Sequence, residues 1–137
     1  MVDDRSREPA FDSMSTTKEI VSAYFERARA RDYAGLRALL DDDLRFEGPI
    51  ETFVGPEMLV VTLRRFAKIT ASVALRRVFV DGDDACVIYD VVTNTPIGES
   101  PMAEWLQTRG GKIVHIRVYF DSQPFAALFG TCSSRGR

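Results

Sequence analysis

The chain contains few of the residues that build metal sites and disulfide frameworks. Its 137 residues include two cysteines and one histidine, too few for a disulfide framework or a zinc site. It also lacks a run of about 18 or more apolar residues and a basic leader ahead of an apolar stretch. We therefore expect a cytoplasmic protein that spans no membrane and uses no metal or cofactor.

A strong excess of one charge is absent as well. The 18 Lys and Arg residues nearly balance the 20 Asp and Glu residues, which leaves a net charge of −2. Without a basic stripe, nucleic acid is not an expected partner. What is present is the composition of an ordinary globular protein, with 45% hydrophobic and 28% charged residues, over a length that suits one domain.

The two ends differ in composition from the rest of the chain. Residues 1–14 mix both charges with little to bury, which predicts a disordered segment in which Met14 is an alternative start. Residues 130–137 are mostly small and polar, which predicts a flexible tail. The folded domain is therefore predicted to cover residues 15–129.

The first half of this domain has the spacing of helices. Thr16 and Glu19 have the capping-box spacing, and apolar residues then recur at helical intervals. Asp32 can cap a second, short helix. Pro56 predicts the start of a third helix, because proline suits the first helical position.

The second half predicts strands joined by hairpins. Asp81-Gly82 and Gly110-Gly111 are typical of tight turns between strands. The predicted strands cover residues 72–80, 85–94, 102–108 and 113–120, and a short strand over 44–47 precedes the third helix. The resulting order, α-α-β-α-β-β-β-β, predicts an α+β domain in which helices cover one face of an antiparallel sheet.

Four phrases in this order carry a family resemblance: AYFERARARDYAGLRALL at residues 23–40, DLRFEGP at 43–49, VIYD at 87–90 and GKIVHIRVYFD at 111–121. With them the chain resembles the nuclear transport factor 2-like superfamily and, within it, the SnoaL-like proteins. The resemblance implies a cone-shaped, strongly curved sheet wrapped on three helices, with a pocket at its wide end. Related folds include ketosteroid isomerases, limonene-type epoxide hydrolases, polyketide cyclases and non-catalytic binding proteins, so the fold does not choose the function.

The ketosteroid isomerase pattern matches only in part. Those enzymes use a carboxylate base with a Tyr and a protonated acid as oxyanion donors. On that pattern Tyr24 takes the position of the donor Tyr, although its place on the apolar side of the first helix favours packing in the core or the pocket wall. The base falls on Gly48, which has no side chain. The second donor falls on Ala103, unless a one-residue shift brings Glu104 there, so isomerase chemistry of this type is not favoured.

The epoxide hydrolase pattern matches less well. Those enzymes use an Asp-Arg-Asp relay with a Tyr and an Asn that hold the water. Asp90 matches the acid, but Ile88 replaces the Arg and Val118 replaces the second Asp. Phe46 and Gly48 stand where the water-holding residues belong. Because an acid without a base cannot activate water, this chemistry is not expected.

Polyketide cyclases of the SnoaL type stay open, since they need only an acid/base side chain beside an apolar pocket. Asp90 is the candidate, because it shares a strand face with Cys86, Ile88 and Val92. An ionised carboxylate in such surroundings is costly unless it is paired, and a neutral carboxyl group there would suit a general acid. The structural alternative is a buried Asp90 that holds Tyr24 or a backbone amide.

The last strand divides into an apolar face and a polar-aromatic face. Period-two alternation predicts that the apolar face, with Ile116 among its members, meets the helices and the pocket. The only histidine, His115, then points away from the pocket, and a catalytic role for it is not expected. The polar-aromatic face suits a homodimer through the sheet, which the resemblance also implies. Trp105 could lie at this dimer face or at the pocket rim.

The sequence therefore predicts a SnoaL-like pocket protein for a small hydrophobic or aromatic molecule. If it is an enzyme, it performs cofactor-free isomerisation, cyclisation or dehydration, with Asp90 as acid and Tyr24 as oxyanion donor. The predicted pocket lining is Phe46, Ile88, Glu104, Ile116, Val118 and Phe120. The alternative is a non-catalytic ligand-binding or dimeric scaffold protein of the same fold.

Overall fold

A computed structural model describes residues 16–129, and the predictions for residues 1–14 and 130–137 lie outside this range. The described elements, in chain order, are α1 (Thr17–Ala30), α2 (Tyr33–Arg37), β1 (Leu40–Glu47), β2 (Thr52–Val54), α3 (Pro56–Ala67), β3 (Thr70–Asp81), β4 (Asp84–Thr93), β5 (Glu99–Arg109), β6 (Lys112–Tyr119) and α4 (Gln123–Phe129). None of these helices is both long and apolar enough to cross a membrane.

The predicted capping box starts α1. The Thr16 hydroxyl oxygen accepts a hydrogen bond from the Glu19 backbone N–H at 3.1 Å, and the Glu19 carboxylate accepts one from the Thr16 N–H at 3.0 Å. Two of the N–H groups left free at a helix start are thereby satisfied. The helix ends at Arg31, whose φ of 60° is left-handed, a conformation that commonly stops helices.

Helix α3 begins as the sequence predicts. Gly55 precedes it with a φ of 114°, a backbone conformation that a residue with a Cβ rarely adopts. Pro56 occupies the first turn, where its missing N–H costs nothing. The helix buries Leu59 completely and leads directly into the sheet at Thr70.

The sheet has six strands in the order β2-β1-β6-β5-β4-β3. Strands β3 to β6 form three consecutive antiparallel pairs, as predicted. Strand β1 pairs parallel with β6, which attaches the N-terminal part of the chain to the end of the meander. The sheet is curved and does not close, and the helices lie against its inner face.

Alternation along β4 divides the two faces of the sheet. Val87, Tyr89 and Val91 are buried against the helices, while Ile88 and Asp90, on the outer face, are only half-buried. In β5 the inner residues are Met102, Glu104 and Leu106. The core therefore lies between the inner face and the helices, and a carboxyl group lies within it.

The sequence analysis missed two short elements and placed the starts of three strands too late, with β3 at residue 72 rather than Thr70 and β5 at residue 102 rather than Glu99. Strand β2 and helix α4 were not expected, and β1 begins at Leu40 rather than at residue 44. Helix α4 packs on the core through Phe125, which is fully buried and lies edge-on to Phe120, with ring centroids 5.2 Å apart. The α+β class and the order of the predicted elements are confirmed.

Candidate functional site

Two adjoining cavities lie between the inner face of the sheet and the helices. Their volumes are about 530 Å³ and 360 Å³. Five residues line both cavities: Tyr24, Leu63, Phe66, Tyr89 and Glu104. The Glu104 carboxyl group is thus reached from two sides.

The larger cavity is mainly apolar. It is lined at one end by Phe46, whose ring stacks on Phe53 at a centroid distance of 4.7 Å. At its rim the Glu51 carboxylate accepts a hydrogen bond from Arg65 at 3.0 Å and another from the Thr62 hydroxyl at 3.4 Å. This cavity suits a small apolar molecule, since such sites combine apolar walls with few polar groups.

The smaller cavity opens where α1 and α3 end and β3 begins. Its rim includes Arg29, Arg31, Ala67 and Thr70. Arg31 bridges the two helices, because its guanidinium donates to the Ala67 carbonyl at 3.3 Å.

Glu104 is the central polar group of the site. Its side chain is buried, and its Oε1 accepts a hydrogen bond from the Tyr89 hydroxyl at 2.7 Å. Burial raises the pKa of the Glu104 carboxyl to about 7, although hydrogen bonds from Tyr89 and Tyr24 act in the opposite direction. The carboxyl group is therefore present in both its neutral and ionised forms near neutral pH.

Tyr24 and Tyr89 remain protonated beside this carboxyl group. Burial, followed by the negative charge of Glu104, raises the pKa of both hydroxyls well above the ordinary value. Phe25 lies between the two rings, with centroid distances of 5.2 Å to Tyr24 and 5.3 Å to Tyr89, and holds them in edge-to-face packing. Two O–H donors and one titrating carboxyl group thus meet at the junction of the cavities.

This arrangement can donate hydrogen bonds to an oxygen atom of a bound molecule and exchange one proton with it. A neutral Glu104 is a donor, and an ionised Glu104 is a proton acceptor. Donors fixed in a site that largely excludes water stabilise charge that develops on a ligand oxygen. Within residues 16–129 no group of three or more His, Cys, Asp or Glu side chains is arranged to hold a metal ion.

Most of the predicted pocket residues line the cavities. Tyr24 and Glu104 line both cavities, and Phe46, Val118 and Phe120 line the larger one. Glu104, which the sequence offered as a second donor only after a one-residue shift, is buried on the inner face beside Tyr24 and Tyr89. The structure therefore brings together the predicted donor Tyr and a buried acid.

Two predicted lining residues lie elsewhere. Ile116 is fully buried in the core without lining either cavity. Ile88 is on the outer face, where it pairs with Arg77 of β3 and Ala103 of β5. The Ile88 departure follows from side-chain direction, since neighbours on a strand point to opposite faces, whereas Ile116 points inward as predicted but is covered by other core residues.

Asp90 does not reach the cavities. It lies on the outer face of β4, where its carboxylate accepts a hydrogen bond from Arg76 at 2.7 Å. The prediction placed Asp90 on the pocket side with Ile88, and the structure turns that face outward. The carboxyl group buried on the inner face is that of Glu104.

Sequence reasoning missed Tyr89 and Glu51. Tyr89 stands next to Asp90 and faces the opposite way, so the assignment of the inner face to Asp90 hid it. Glu51 lies in the segment between β1 and β2, where no periodic pattern gives a direction. The signal that could have found Tyr89 is its two-residue spacing from Val87 and Val91, which places the three side chains on one face, and all three are buried.

The outer face holds His115, as the alternation predicts, and also Trp105. His115 Nδ1 lies 2.9 Å from the Gln107 amide oxygen, and the Trp105 indole N–H donates to Asp84 at 2.9 Å. Neither residue lines a cavity. Of the two positions considered for Trp105, the structure therefore selects the outer face over the pocket rim.

The family follows from a match over most of the domain. A family model for the SnoaL-like domain matches residues 21–116. The chain therefore belongs to the SnoaL-like family. A comparison with curated protein sequences gives no significant match.

Solved structures share this fold. A nuclear transport factor 2-like protein of unknown function from Cytophaga hutchinsonii is 23% identical, with a TM-score of 0.71 over 80% of this chain and 94% of that one. A protein with a ketosteroid isomerase-like fold from Catenulispora acidiphila, solved with trimethylamine, is 24% identical, with a TM-score of 0.68 over 84% and 95%. A de novo designed protein with a curved β-sheet is 21% identical, with a TM-score of 0.72 over 90% and 99%. At these identities the likeness shows the fold alone.

Proposed function

We propose that the protein binds a small, largely apolar molecule that carries a carbonyl or hydroxyl oxygen, and that Glu104 acts on this oxygen in cofactor-free acid/base chemistry. The observation that carries the proposal is a buried carboxyl group at the junction of two cavities, with the Tyr89 hydroxyl 2.7 Å away. A group whose pKa lies near the working pH is well suited to proton transfer.

The neutral Glu104 carboxyl would donate a hydrogen bond to the ligand oxygen, and the Tyr24 hydroxyl, which is hydrogen-bonded to Glu104, would turn from it to donate to the ligand as well. These donors would stabilise an enol or enolate when a proton leaves the neighbouring carbon. In the ketosteroid isomerase pattern the base falls on Gly48, which has no side chain to act as one. Gly48 lines the larger cavity, and so does Glu51, three residues later. Glu51 would accept that proton, as the carboxylate that shares the larger cavity with Glu104. Isomerisation, cyclisation and dehydration can all begin with this step.

A non-catalytic binding protein is the second candidate. Glu51, the candidate base, is already engaged by Arg65 at 3.0 Å and by the Thr62 hydroxyl at 3.4 Å. In that case the Glu104 cluster would recognise the ligand oxygen without chemistry. Both candidates use the same cavity and differ in whether a proton leaves the bound molecule.

Tetralone, a bicyclic aromatic ketone, tests both candidates. We expect tetralone to bind more tightly than tetralin, which lacks the oxygen, and Glu104→Leu to weaken tetralone binding about ten-fold, the effect of one lost hydrogen bond to a buried group. Calorimetric titration measures binding, and proton NMR in heavy water measures exchange of the protons next to the carbonyl. Glu51→Gln should slow this exchange with little change in affinity.

Glu99→Gln is the matched control, because Glu99 is an exposed carboxylate on the same strand as Glu104. Tight binding without faster exchange would favour the non-catalytic candidate. Equal affinities for tetralone and tetralin, or an undiminished affinity in Glu104→Leu, would refute the assignment of the site.

We also propose that the outer face of the sheet pairs with a second copy of this chain. Ile88, Ala103 and Trp105 are half-buried on this face, although none of them packs in the core between the sheet and the helices. Phe79 and Tyr119 are each 50% exposed. Contiguous exposed apolar and aromatic surface is typical of protein interfaces.

A further inference from the structure

We propose that the ligand is an amphipathic anion whose acidic group is held by Arg29 at the rim of the smaller cavity while its other polar end reaches Glu104. This inference rests on the proposed function of the cavities and names the class of molecule they take. Its starting point is the charge around the smaller cavity, whose charged lining residues are Arg29, Arg31 and Glu104.

Arg29 is the cation that is available at this rim. Among the described residues no hydrogen bond or ion pair engages its exposed guanidinium, whereas Arg31 donates to the Ala67 carbonyl. A basic residue in the last turn of a helix is expected on electrostatic grounds alone, because the carbonyl end of a helix is partly negative. That role requires no cavity, however, and Arg29 also lines one.

The spacing along α1 gives a lower limit for the length of the ligand, because it measures only the distance along the helix axis. Tyr24 and Arg29 are five residues apart on one helix, and Tyr24 and Arg31 are seven apart. At a rise of about 1.5 Å per residue, the two polar ends of the site are separated by roughly 7–10 Å along the helix. The wall between them includes Ala28, Leu63 and Val73, so the middle of the ligand would be apolar.

The charge arrangement favours an acid over a neutral molecule of the same length. Because the pKa of Glu104 is about 7, part of this carboxyl group is ionised near neutral pH. At the inner end of the cavity a hydroxyl or carbonyl oxygen would therefore bind better than a second anion. The rim offers an Arg side chain, which pairs with a carboxylate through two parallel hydrogen bonds. A carboxylate at the rim and an uncharged oxygen inside therefore match both ends.

ω-Hydroxyoctanoate and octanediol form the test pair, because they share the chain and the hydroxyl group and differ in the carboxylate. We expect calorimetry at low salt to show about five-fold tighter binding of the hydroxy acid, the upper range for an exposed ion pair. Arg29→Gln should remove this preference by weakening the binding of the hydroxy acid more than that of the diol. Added salt should reduce the preference in the unmodified protein, because it screens the exposed pair.

Arg109→Gln is the control, since Arg109 is an exposed arginine at the β5–β6 hairpin, outside both cavities. Equal binding of the two compounds, or a preference that survives Arg29→Gln, would overturn the inference. If tetralone still binds through Glu104 in that case, the proposed function stands and only the anionic class is wrong. If tetralone, the diol and the hydroxy acid all fail to bind, both proposals fall.

Discussion

At the scale of single residues, the buried carboxyl group of Glu104 is costly to keep. Moving an ionised carboxylate out of water carries a large penalty, which a protein reduces by hydrogen bonds or by keeping the group protonated. Glu104 does both, because Tyr89 donates to it at 2.7 Å while burial raises its pKa to about 7. Because burying this carboxyl group costs free energy, its presence indicates a role for Glu104 beyond packing.

The raised pKa predicts how stability changes with pH. Below the unfolded-state value of about 4.5 Glu104 is protonated in both states. As the pH rises towards 7, the unfolded chain loses this proton while the folded chain keeps it, so the free energy of unfolding decreases. The loss should amount to roughly 3 kcal/mol and level off above the folded-state pKa.

Urea unfolding from about pH 5 to about pH 8 measures this loss as a falling free energy of unfolding. Glu104→Gln carries no titrating group and should lose this component of the pH dependence. Asp90→Asn, which removes an outer-face carboxylate paired with Arg76, should retain it. A pH profile that is the same in Glu104→Gln and in the unmodified protein would contradict the assignment.

The direction of side chains was the part of the site that the sequence could not supply. Residues 85–94 are apolar on both faces, as in a strand covered on both sides, so no alternation shows which half meets the helices. Asp90 and Tyr89 are neighbours on this strand and point to opposite faces. If Asp90 is assigned to the inner face, Tyr89 is therefore assigned to the outer face, and the reverse. On β6 the polar and apolar residues do alternate, and there the predicted faces of His115 and Val118 are correct.

At the scale of elements, local signals located the starts of α1 and α3, because a capping box and a proline act on the backbone nearby. Strand β2 and helix α4 have three and seven residues, too few for a periodic pattern. Their formation depends on tertiary contacts. Strand β2 pairs with β1 through Phe53 and Phe46, partners that sequence spacing does not reveal.

Helix α4 gives a prediction at this scale. Phe125 is fully buried and packs against Phe120 and Phe66, with centroid distances of 5.2 Å and 5.9 Å. Phe125→Ala should therefore lower the free energy of unfolding by about 3–5 kcal/mol, since it removes a large side chain from a packed core. Thermal and urea unfolding measure this change.

Leu128→Ala in the same helix is the control, because Leu128 is 41% exposed and its loss should cost well under about 1 kcal/mol. Phe120 also lines the larger cavity, so Phe125→Ala should loosen one cavity wall and weaken tetralone binding. If Phe125→Ala is as stable as Leu128→Ala, α4 is not part of the core.

At the scale of the whole molecule, the two faces of the sheet have different surroundings. The inner face forms the cavities, and the outer face carries half-buried apolar side chains beside two ion pairs, Arg76–Asp90 at 2.7 Å and Arg117–Glu47 at 2.9 Å. A face with both charges can complement itself when two copies meet about a two-fold axis. The proposed homodimer thus leaves the cavities on the far side of each sheet.

Ile88→Arg tests this dimer. Light scattering coupled to size-exclusion chromatography should show a dimer for the unmodified protein and a monomer for the variant, because an arginine at the centre of the interface would be buried without a partner. Val61→Arg places the same residue on an exposed position of α3 and should leave the dimer intact. Tetralone binding should survive in the Ile88→Arg monomer, since Tyr24, Tyr89 and Glu104 lie on the inner side of the sheet. An unmodified protein that runs as a monomer would refute the proposal, and loss of tetralone binding together with the dimer would show that the faces are coupled.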